Sequence, residues 1–310
     1  MEPRPVGTVA GRGGPLVIGP GELAHALRQA APFVLLRRQV PLVLGLVITD
    51  RCNLACRHCR VANVARRDMP FALVEQKLDA FHARGVRELA IEGGEPFLWR
   101  NGERRLEDVV TLARRIGYRH VHVYTNGMFP IVSSADTVWV SVDGLRESFA
   151  RIRGDHFERV IAHIRAARAR KLAIVFVVNT VNRQDVRPFL RFARDLPVMG
   201  VIFYLHTPYY GRDELFLDAP ARAAVIDELL ACRRDGLPVL NSASGLELLR
   251  SGGWPKPNRT WWIADEGGDY PCCRAANPEV CADCGYAACT ELIAAQRLRP
   301  DAIRTLLRLA

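Results

Sequence analysis

Three cysteines near residue 55 have the spacing that iron–sulfur chemistry requires. They stand in the segment Cys52-Asn-Leu-Ala-Cys56-Arg-His-Cys59. Three thiolates so close in sequence can bind three corners of one cubane cluster, as cysteine runs do in ferredoxins. The fourth iron then keeps the open coordination position that a reactive cofactor needs. A zinc site completed by His58 and cysteines that only pack in the core are the alternatives, although zinc loops more often contain CxxC pairs.

A second group of cysteines lies toward the C-terminus: Cys272, Cys273, Cys281, Cys284 and Cys289. The ninth, Cys232, falls in an apolar helical segment and is expected to be a buried thiol. The N-terminal segment lacks the continuous apolar core of a signal peptide, and no stretch approaches the ~20 apolar residues that span a bilayer. We therefore expect a cytoplasmic protein without membrane insertion, whose cysteines bind metal rather than form disulfides.

The net charge of +10 raises the question of a nucleic-acid partner. Of the 43 basic residues only Lys77, Lys171 and Lys256 are lysines. Such an excess of arginine over lysine is typical of genomic base composition. The arginines are also distributed over every predicted helix rather than gathered in one run, as a binding patch would require. We expect no nucleic-acid partner. The length of 310 residues fits one large domain with a modest appendage.

Apolar runs alternate with helical segments, which predicts a parallel α/β sheet, either open and doubly wound or a partial barrel. The predicted strands cover residues 42–49, 87–91, 120–124, 137–142, 173–178 and 200–205. The predicted helices cover residues 21–36, 70–84, 105–116, 157–170, 185–194, 220–233 and 300–309. The predicted organisation is an N-terminal leader and helix (1–40), a barrel (41–235) and a cysteine-rich extension (236–310), in which loops dominate after about residue 236.

Polar segments follow several predicted strands directly. The cysteine loop follows the first strand, Gly93-Gly94-Glu95-Pro96 the second, and Ser141-Val142-Asp143-Gly144 the fourth. Since the active site of a parallel barrel lies at the carboxyl ends of its strands, these segments are expected on one rim. Glycines let a backbone approach a ligand closely and a carboxylate suits an ammonium group, whereas Asp-Gly is also a common turn former.

The CxxxCxxC loop after strand one and the GGEP segment after strand two resemble the radical S-adenosylmethionine (radical SAM) superfamily. The resemblance implies an α/β fold, a partial (β/α)6 TIM-like barrel with a small C-terminal cysteine-rich extension. It implies a [4Fe–4S] cluster on Cys52, Cys56 and Cys59, with S-adenosylmethionine bound at the open iron. It implies that Gly93, Gly94 and Glu95 bind the amino group of S-adenosylmethionine. The candidates at the ribose are Ser141 and Asp143.

The C-terminal cysteines resemble the auxiliary-cluster extensions of this superfamily, the twitch and SPASM domains. Five cysteines suffice for one auxiliary [4Fe–4S] cluster and are too few for two. The implied ligands are Cys272, Cys281, Cys284 and Cys289, and structural zinc is the alternative. In an extended segment adjacent side chains point to opposite sides, so only one of Cys272 and Cys273 is expected to face the cluster. Cys272 is preferred because it follows Tyr270-Pro271, as the first ligand does in the resembling extensions.

The function implied by the resemblance is reductive cleavage of S-adenosylmethionine to a 5′-deoxyadenosyl radical, with an electron from a flavodoxin- or ferredoxin-type donor. The radical would abstract hydrogen from, or add to, a small biosynthetic intermediate such as a sugar, aminocyclitol or nucleotide-linked compound. A maturase of a ribosomal peptide and an adenosyl- or nucleoside-radical enzyme that forms C–C bonds are alternatives. A non-catalytic iron–sulfur carrier or zinc protein is a further alternative, which the GGEP segment disfavours.

Overall fold

The computed structural model describes residues 31–35 and 37–309. The predicted leader lies outside these residues, as does most of the helix predicted over 21–36, of which Ala31–Leu35 form a π-helical turn. None of the helices within the described ranges combines the length and apolarity needed to cross a bilayer.

The centre of the molecule is one eight-stranded sheet in the order β6-β5-β4-β3-β2-β1-β7-β8. Every neighbouring pair is parallel except β7 and β8, which are antiparallel. The strands are β1 Val43–Thr49, β2 Glu88–Gly93, β3 His120–Thr125, β4 Thr137–Ser141, β5 Leu172–Val178, β6 Val201–Leu205, β7 Trp261–Asp265 and β8 Gly268–Pro271. The six predicted strands are therefore confirmed to within two residues, in the sequential order of a partial (β/α)6 barrel.

Helices follow the parallel strands as the alternating pattern predicts. They are α1 Phe71–Ala83, α2 Leu106–Ile116, α3 Arg146–Arg153, α4 Phe157–Arg165, α5 Val186–Ala193, α6 Ala219–Arg234, α7 Ala243–Ser251, α8 Pro278–Ala282, α9 Ala287–Gln296 and α10 Pro300–Leu309. The helix predicted over 157–170 ends at Arg165, because the chain then leaves the helix to pair Arg168 with Val132. The short helix α3 was not predicted, and it carries a residue of the site.

Strand β1 is buried on both faces, which explains its uninterrupted apolar sequence. Leu44, Leu46 and Ile48 pack in the cluster that includes residues of α1 and α2. Val43 and Val47 belong to a different cluster, which includes residues of β7 and α9. The strand thus separates the outer helical layer from the interior of the barrel.

The region after residue 236, predicted as mainly loops, contributes two strands to the sheet. Strand β7 pairs in parallel with β1, from Val43 opposite Trp261 to Leu46 opposite Ala264. Strand β8 returns antiparallel to β7 and ends at Pro271, directly before Cys272. The sheet therefore leads the chain into the second group of cysteines.

Gly285 and Tyr286 connect the two sides of the barrel. The Leu205 amide donates to the Gly285 carbonyl oxygen over 3.0 Å, and the Gly285 amide donates to Thr207 Oγ1 over 2.9 Å. A Cβ at position 285 would lie 1.9 Å from the Leu205 carbonyl oxygen, so only glycine fits. The Tyr286 ring stacks on Tyr204 of β6 at 4.9 Å and meets Trp261 of β7 edge-on at 5.6 Å.

Candidate active site at the carboxyl ends of the strands

The cysteine loop leaves β1 and turns back beside the barrel rim. Cys52, Cys56 and Cys59 are half-buried free thiols. Their loop is closed at its base by Asp50, whose carboxylate accepts hydrogen bonds from the backbone of residues 65–67. Burial raises the pKa of Asp50 but these backbone donors outweigh it, and the pKa is lowered. The ionised Asp50 carboxylate thus fixes the two ends of the loop to each other.

Nitrogen donors point at two of the three sulfur atoms. The Leu54 amide lies 3.4 Å from Cys52 Sγ, and Asn126 Nδ2 lies 3.6 Å from the same sulfur. Arg153 Nη1 lies 3.8 Å from Cys56 Sγ. Such N–H···S contacts favour the thiolate form that binds iron, although burial outweighs them and raises the pKa of both thiols, that of Cys56 to about 11.

The two glycines of the GGEP segment bring β2 against the start of the cysteine loop. The Gly94 amide donates to the Thr49 carbonyl oxygen and the Glu95 amide to the Arg51 carbonyl oxygen, both over 2.8 Å. A Cβ at Gly93 would lie 2.3 Å from the Thr49 carbonyl oxygen, and one at Gly94 2.3 Å from that of Arg51. The glycines therefore fix the cysteine loop on β2, a packing requirement that the sequence analysis did not anticipate.

Glu95 is fully buried at the carboxyl end of β2. Its carboxylate accepts hydrogen bonds from the Thr125 hydroxyl at 2.9 Å, the Asn126 amide at 2.7 Å and the Phe97 amide at 3.1 Å. Burial nevertheless raises its pKa to about 7. A carboxylate has about four lone-pair sites, so it retains capacity for one more donor. A cationic group bound here would supply the charge that the three neutral donors do not.

Asn126 connects the carboxylate to the cysteine loop. Its backbone amide bonds Glu95, while its side-chain amide donates both to Asn53 Oδ1 at 2.8 Å and toward Cys52. Asn126 follows β3, so three consecutive strands contribute to one constellation: the cysteine loop from β1, Glu95 from β2 and Asn126 from β3.

Ser141 and Asp143 follow β4 and differ in their availability. Ser141 ends the strand and is half-buried. Asp143 is fully buried, and its oxygens accept from Arg153 Nε at 2.6 Å and from the Val177 amide at 2.7 Å. His58 Nε2 lies 3.8 Å from the same carboxylate, and burial lowers the pKa of His58 to about 4. Asp143 thus holds the Arg153 side chain in place, and the roles of Ser141 and Asp143 at the ribose stay predictions.

The C-terminal cysteines lie together. The Cys272 thiol contacts those of Cys273 and Cys289. The Cys284 thiol is close enough to those of Cys272 and Cys273 for their charges to interact. The same holds for the thiols of Cys281 and Cys273. The extended segment assumed for the adjacent pair was wrong: the strand ends at Pro271, and Cys272 has a left-handed backbone with φ +74°. Both thiols can therefore face the same neighbours.

A cavity of about 1050 Å³ lies beside the C-terminal cysteines. Cys272, Cys273, Cys281 and Cys284 line it, and Arg60, directly after Cys59, lines it as well. Its floor includes Glu92 of β2 and Tyr286. Of the described residues that line the cavity, none is Cys52, Cys56 or Cys59.

The residues fit the groups that the cysteine spacing implies. Within the described ranges, no three His, Cys, Asp or Glu side chains converge closely enough to hold one metal ion. The corners of a cubane cluster are separate iron atoms, so its thiolates need not converge on a point. Half-buried thiols with N–H donors and a buried carboxylate with spare acceptor capacity suit a cluster and an ammonium group, respectively.

Comparison with known families decides the nature of this rim. Residues 46–193 match the family model of the radical SAM superfamily. The chain carries a radical SAM domain. Its cofactors are those of the family, a [4Fe–4S] cluster that binds S-adenosylmethionine, and S-adenosylmethionine itself. This radical SAM domain contains the cysteine loop, the GGEP segment and every residue of the rim described above.

Sequence relatives carry the name GTP 3′,8-cyclase. A probable GTP 3′,8-cyclase of Saccharolobus islandicus is 31% identical over 184 residues, which cover 54% of this chain and 58% of the relative. GTP 3′,8-cyclase of Lactiplantibacillus plantarum is 30% identical over 177 residues, covering 48% of this chain and 50% of the relative. The chain thus spans little more than half the length of these relatives.

Solved structures share the fold at low sequence identity. Streptococcus suis SuiB bound to precursor peptide SuiA superposes with a TM-score of 0.62 at 15% identity, covering 84% of this chain and 66% of that one. The enzyme anSMEcpe with bound AdoMet gives a TM-score of 0.56 at 18% identity, covering 75% and 74%. These matches support the partial barrel of the radical SAM domain.

Proposed function

We propose that this protein reductively cleaves S-adenosylmethionine and uses the resulting 5′-deoxyadenosyl radical on a small nucleotide-type substrate. The observation that carries the proposal is the joining of the cysteine loop to the GGEP segment by two backbone hydrogen bonds and by Asn126. When bound and reduced by an external flavodoxin- or ferredoxin-type donor, the cluster supplies the electron that breaks the C5′–S bond.

The residues of the rim divide this work. Cys52, Cys56 and Cys59 hold the cluster. Glu95 takes the ammonium group of S-adenosylmethionine together with backbone carbonyls of the glycine segment, since the amides of residues 94 and 95 already bond the cysteine loop. Ser141 holds the ribose, and Asp143 orients Arg153 toward Cys56.

The nucleotide class of substrate is supported by two observations. The relatives that share this domain are named GTP 3′,8-cyclases. The cavity beside the cysteine loop is lined by the cations Arg60, Lys256 and Arg274, which suit phosphate oxygens. Arg60 is exposed and makes no ion pair with the residues that the structure describes.

The test is S-adenosylmethionine cleavage by the anaerobically reconstituted protein. With dithionite as the electron source, the wild-type protein is expected to form 5′-deoxyadenosine. The variant with Cys52, Cys56 and Cys59 all changed to Ala is expected to form none while keeping its circular dichroism spectrum, because the loop lies outside the core. Cys232→Ala, a buried thiol of α6, is the matched control and should cleave normally. Product from the triple variant contradicts the proposal.

A further inference from the structure

The surface beside the cysteine loop carries exposed arginines that the site described above does not use. Arg66 and Arg67 lie in the segment that follows the third cysteine of the loop, and Arg100 and Arg105 lie between β2 and α2. All four are exposed, and none forms an ion pair with a residue that the structure describes. We call these four residues the arginine face. A guanidinium group is charged at any physiological pH, so the face is a group of uncompensated positive charges.

Folding brings the two segments of the arginine face together, although more than 30 residues separate them in the sequence. Arg66, Arg100 and Arg105 line one open cavity of about 630 Å³, which Arg51 and Asp68 also line. The patch therefore belongs to the fold and is not visible as a run of basic residues in the sequence.

Nearby acidic groups leave most of this charge in place. Asp68 is already paired with Arg51 over 2.6 Å. The Asp50 carboxylate accepts the backbone amides of residues 65–67 and contacts none of the four guanidinium groups. Glu103 is an exposed acid in the segment before α2. The face keeps a net positive charge, which attracts an acidic partner over about 10 Å at 0.1 M salt.

The arginine face lies next to the first cysteine of the loop. Asn63 Oδ1 accepts from the Cys52 amide over 2.9 Å, and Asn63 Nδ2 donates to the Leu54 carbonyl oxygen over 3.3 Å. Val64, the next residue, is 76% exposed and stands two residues before Arg66. An apolar side chain beside exposed cations has the composition of a protein interface, with an apolar centre and a polar rim. A protein seated here contacts the segment that holds Cys52.

We propose that the arginine face docks the external electron donor, a small one-electron carrier protein with an acidic surface. The proposal rests on the proposed function, which requires such a donor. Electron transfer slows steeply with distance, so the donor has to dock beside the cysteine loop, and this face combines that position with the complementary charge. The carrier is oxidised by one electron and the cluster is reduced by one. Contacts between redox partners are small and transient, and opposite charges mainly speed their association.

The experiment measures how an acidic flavodoxin binds the reconstituted protein and drives its cleavage of S-adenosylmethionine. The double variant Arg66→Gln/Arg100→Gln removes two charges of the face. We expect the dissociation constant of flavodoxin at low salt, measured by anaerobic titration calorimetry, to rise about fivefold or more. Formation of 5′-deoxyadenosine at sub-saturating reduced flavodoxin should fall by a similar factor. Added salt should weaken flavodoxin binding by the wild-type protein more steeply than binding by the variant.

Two controls separate docking from other effects of the substitutions. Reduced methyl viologen, a small cation that needs no docking face, should drive cleavage equally well in the wild-type protein and in the double variant. Arg191→Gln/Arg194→Gln is the matched variant, because it removes two exposed arginines at the end of α5. Strand β5, which precedes α5, lies four strands from β1 in the sheet. This variant should bind flavodoxin as the wild-type protein does.

Several outcomes would overturn the proposal. They are no binding of flavodoxin by the wild-type protein, an unchanged dissociation constant in Arg66→Gln/Arg100→Gln, an equal loss in the matched variant, and an equal loss with methyl viologen. Binding of a single-stranded oligonucleotide by the face, in place of flavodoxin, would assign it to nucleic acid instead. If the wild-type protein forms no 5′-deoxyadenosine with methyl viologen, the proposed function fails, and flavodoxin binding still tests the face by itself.

Discussion

Glu92 of β2 and Glu95, two residues past its end, both have a pKa raised to about 7 but have different surroundings. Glu95 accepts three hydrogen bonds within the protein, whereas Glu92 accepts none. In both, burial favours the neutral acid. The two carboxylates therefore differ in their environment: the hydrogen bonds of Glu95 hold it beside Asn126 and the cysteine loop, whereas Glu92 lines the cavity.

The role of Glu95 leads to a first prediction at this scale. Glu95→Ala removes the carboxylate from the proposed ammonium site, and a hydrogen bond to a charged group is worth ~1.5–3 kcal/mol. We therefore expect the dissociation constant for S-adenosylmethionine to rise roughly ten- to a hundredfold. Equilibrium dialysis measures it, and iron analysis of the same sample checks that the cluster is retained.

Glu103→Ala provides the control for this measurement. Glu103 is an exposed glutamate outside the rim, and its loss should leave the dissociation constant unchanged. An unchanged constant in Glu95→Ala, with full iron content, would remove Glu95 from the binding site.

The residues that could be predicted from the sequence are those in short segments. The three cysteines and the GGEP segment are recognisable because both resemble short segments of a known family. Asn126 directly follows a predicted strand and is expected on the rim, but its contact with Cys52, 74 residues away, could not be predicted. Arg153 could not be predicted, because its contact with Cys56 spans 97 residues. The surroundings of Glu92 could not be predicted either, because nothing in a sequence shows that a carboxylate lacks partners in the fold.

The strands and helices show where sequence patterns are informative. Strands β1, β4, β5 and β6 are buried on both faces, so apolar runs mark them, whereas β3 alternates buried and half-buried residues. Strand β7, Trp261–Asp265, has five residues and follows a segment rich in Gly and Pro, so its pairing with β1 leaves little local signal. Helix α3 has eight residues, four of them charged, and its burial depends on packing rather than on an apolar stripe.

An ion-paired cluster at the amino ends of β2 and β3 gives a prediction at the scale of these elements. Glu88 Oε1 accepts from His120 Nδ1 at 2.7 Å, and His122 Nε2 lies 3.7 Å from Oε2. Although burial favours the neutral acid, the two histidines lower the pKa of Glu88 to about 2. The hydrogen bond to Glu88 raises the pKa of His120.

These shifts set the pH window in which Glu88→Gln destabilises the protein. The lowered pKa of Glu88 stabilises the folded state above the usual glutamate pKa, and this contribution is lost as pH falls toward about 2. The raised pKa of His120 stabilises it below the usual histidine pKa and is lost as pH rises through the folded value. We expect Glu88→Gln to lower the free energy of unfolding by about 1 kcal/mol near pH 6, as for partly exposed pairs, and by less near pH 9.

Urea unfolding of the wild-type protein and the variant at both pH values checks this. Glu75→Gln, which removes an exposed pair with Arg115 at 3.6 Å, is the control. Its effect should not change between the two pH values, because no histidine is involved. If Glu88→Gln destabilises the protein equally near pH 6 and near pH 9, Glu88 does not raise the pKa of His120.

At the scale of the whole molecule, the C-terminal segment completes the barrel and carries its own cysteines into the same cavity. Strands β7 and β8 place Cys272, and the contact of Gly285 with β6 places Cys284. Arg222 of α6 donates to the carbonyl oxygens of Asp283 and Cys284 at 2.9 Å each. An auxiliary cluster here would therefore be attached to both sides of the barrel.

The buried position of Cys289 bears on the ligand set. Cys289 lies in α9, is inaccessible to solvent and contacts Cys272. With Cys281 and Cys284, these two thiols would give the four predicted ligands, the number that closes a [4Fe–4S] cluster. A closed cluster serves electron transfer or structural support rather than direct binding of substrate.

Iron and sulfide analysis after anaerobic reconstitution tests this ligand set. We expect about eight irons per wild-type chain and about four in the Cys281→Ala and Cys289→Ala variants, since a [4Fe–4S] cluster holds four irons. Cys272→Ala should also retain about four irons and Cys273→Ala about eight, because only Cys272 contacts Cys289. Cys232→Ala, the buried thiol outside both groups, should keep about eight. About four irons with one bound zinc in the wild-type chain would instead establish a structural zinc site, since thiolates bind both.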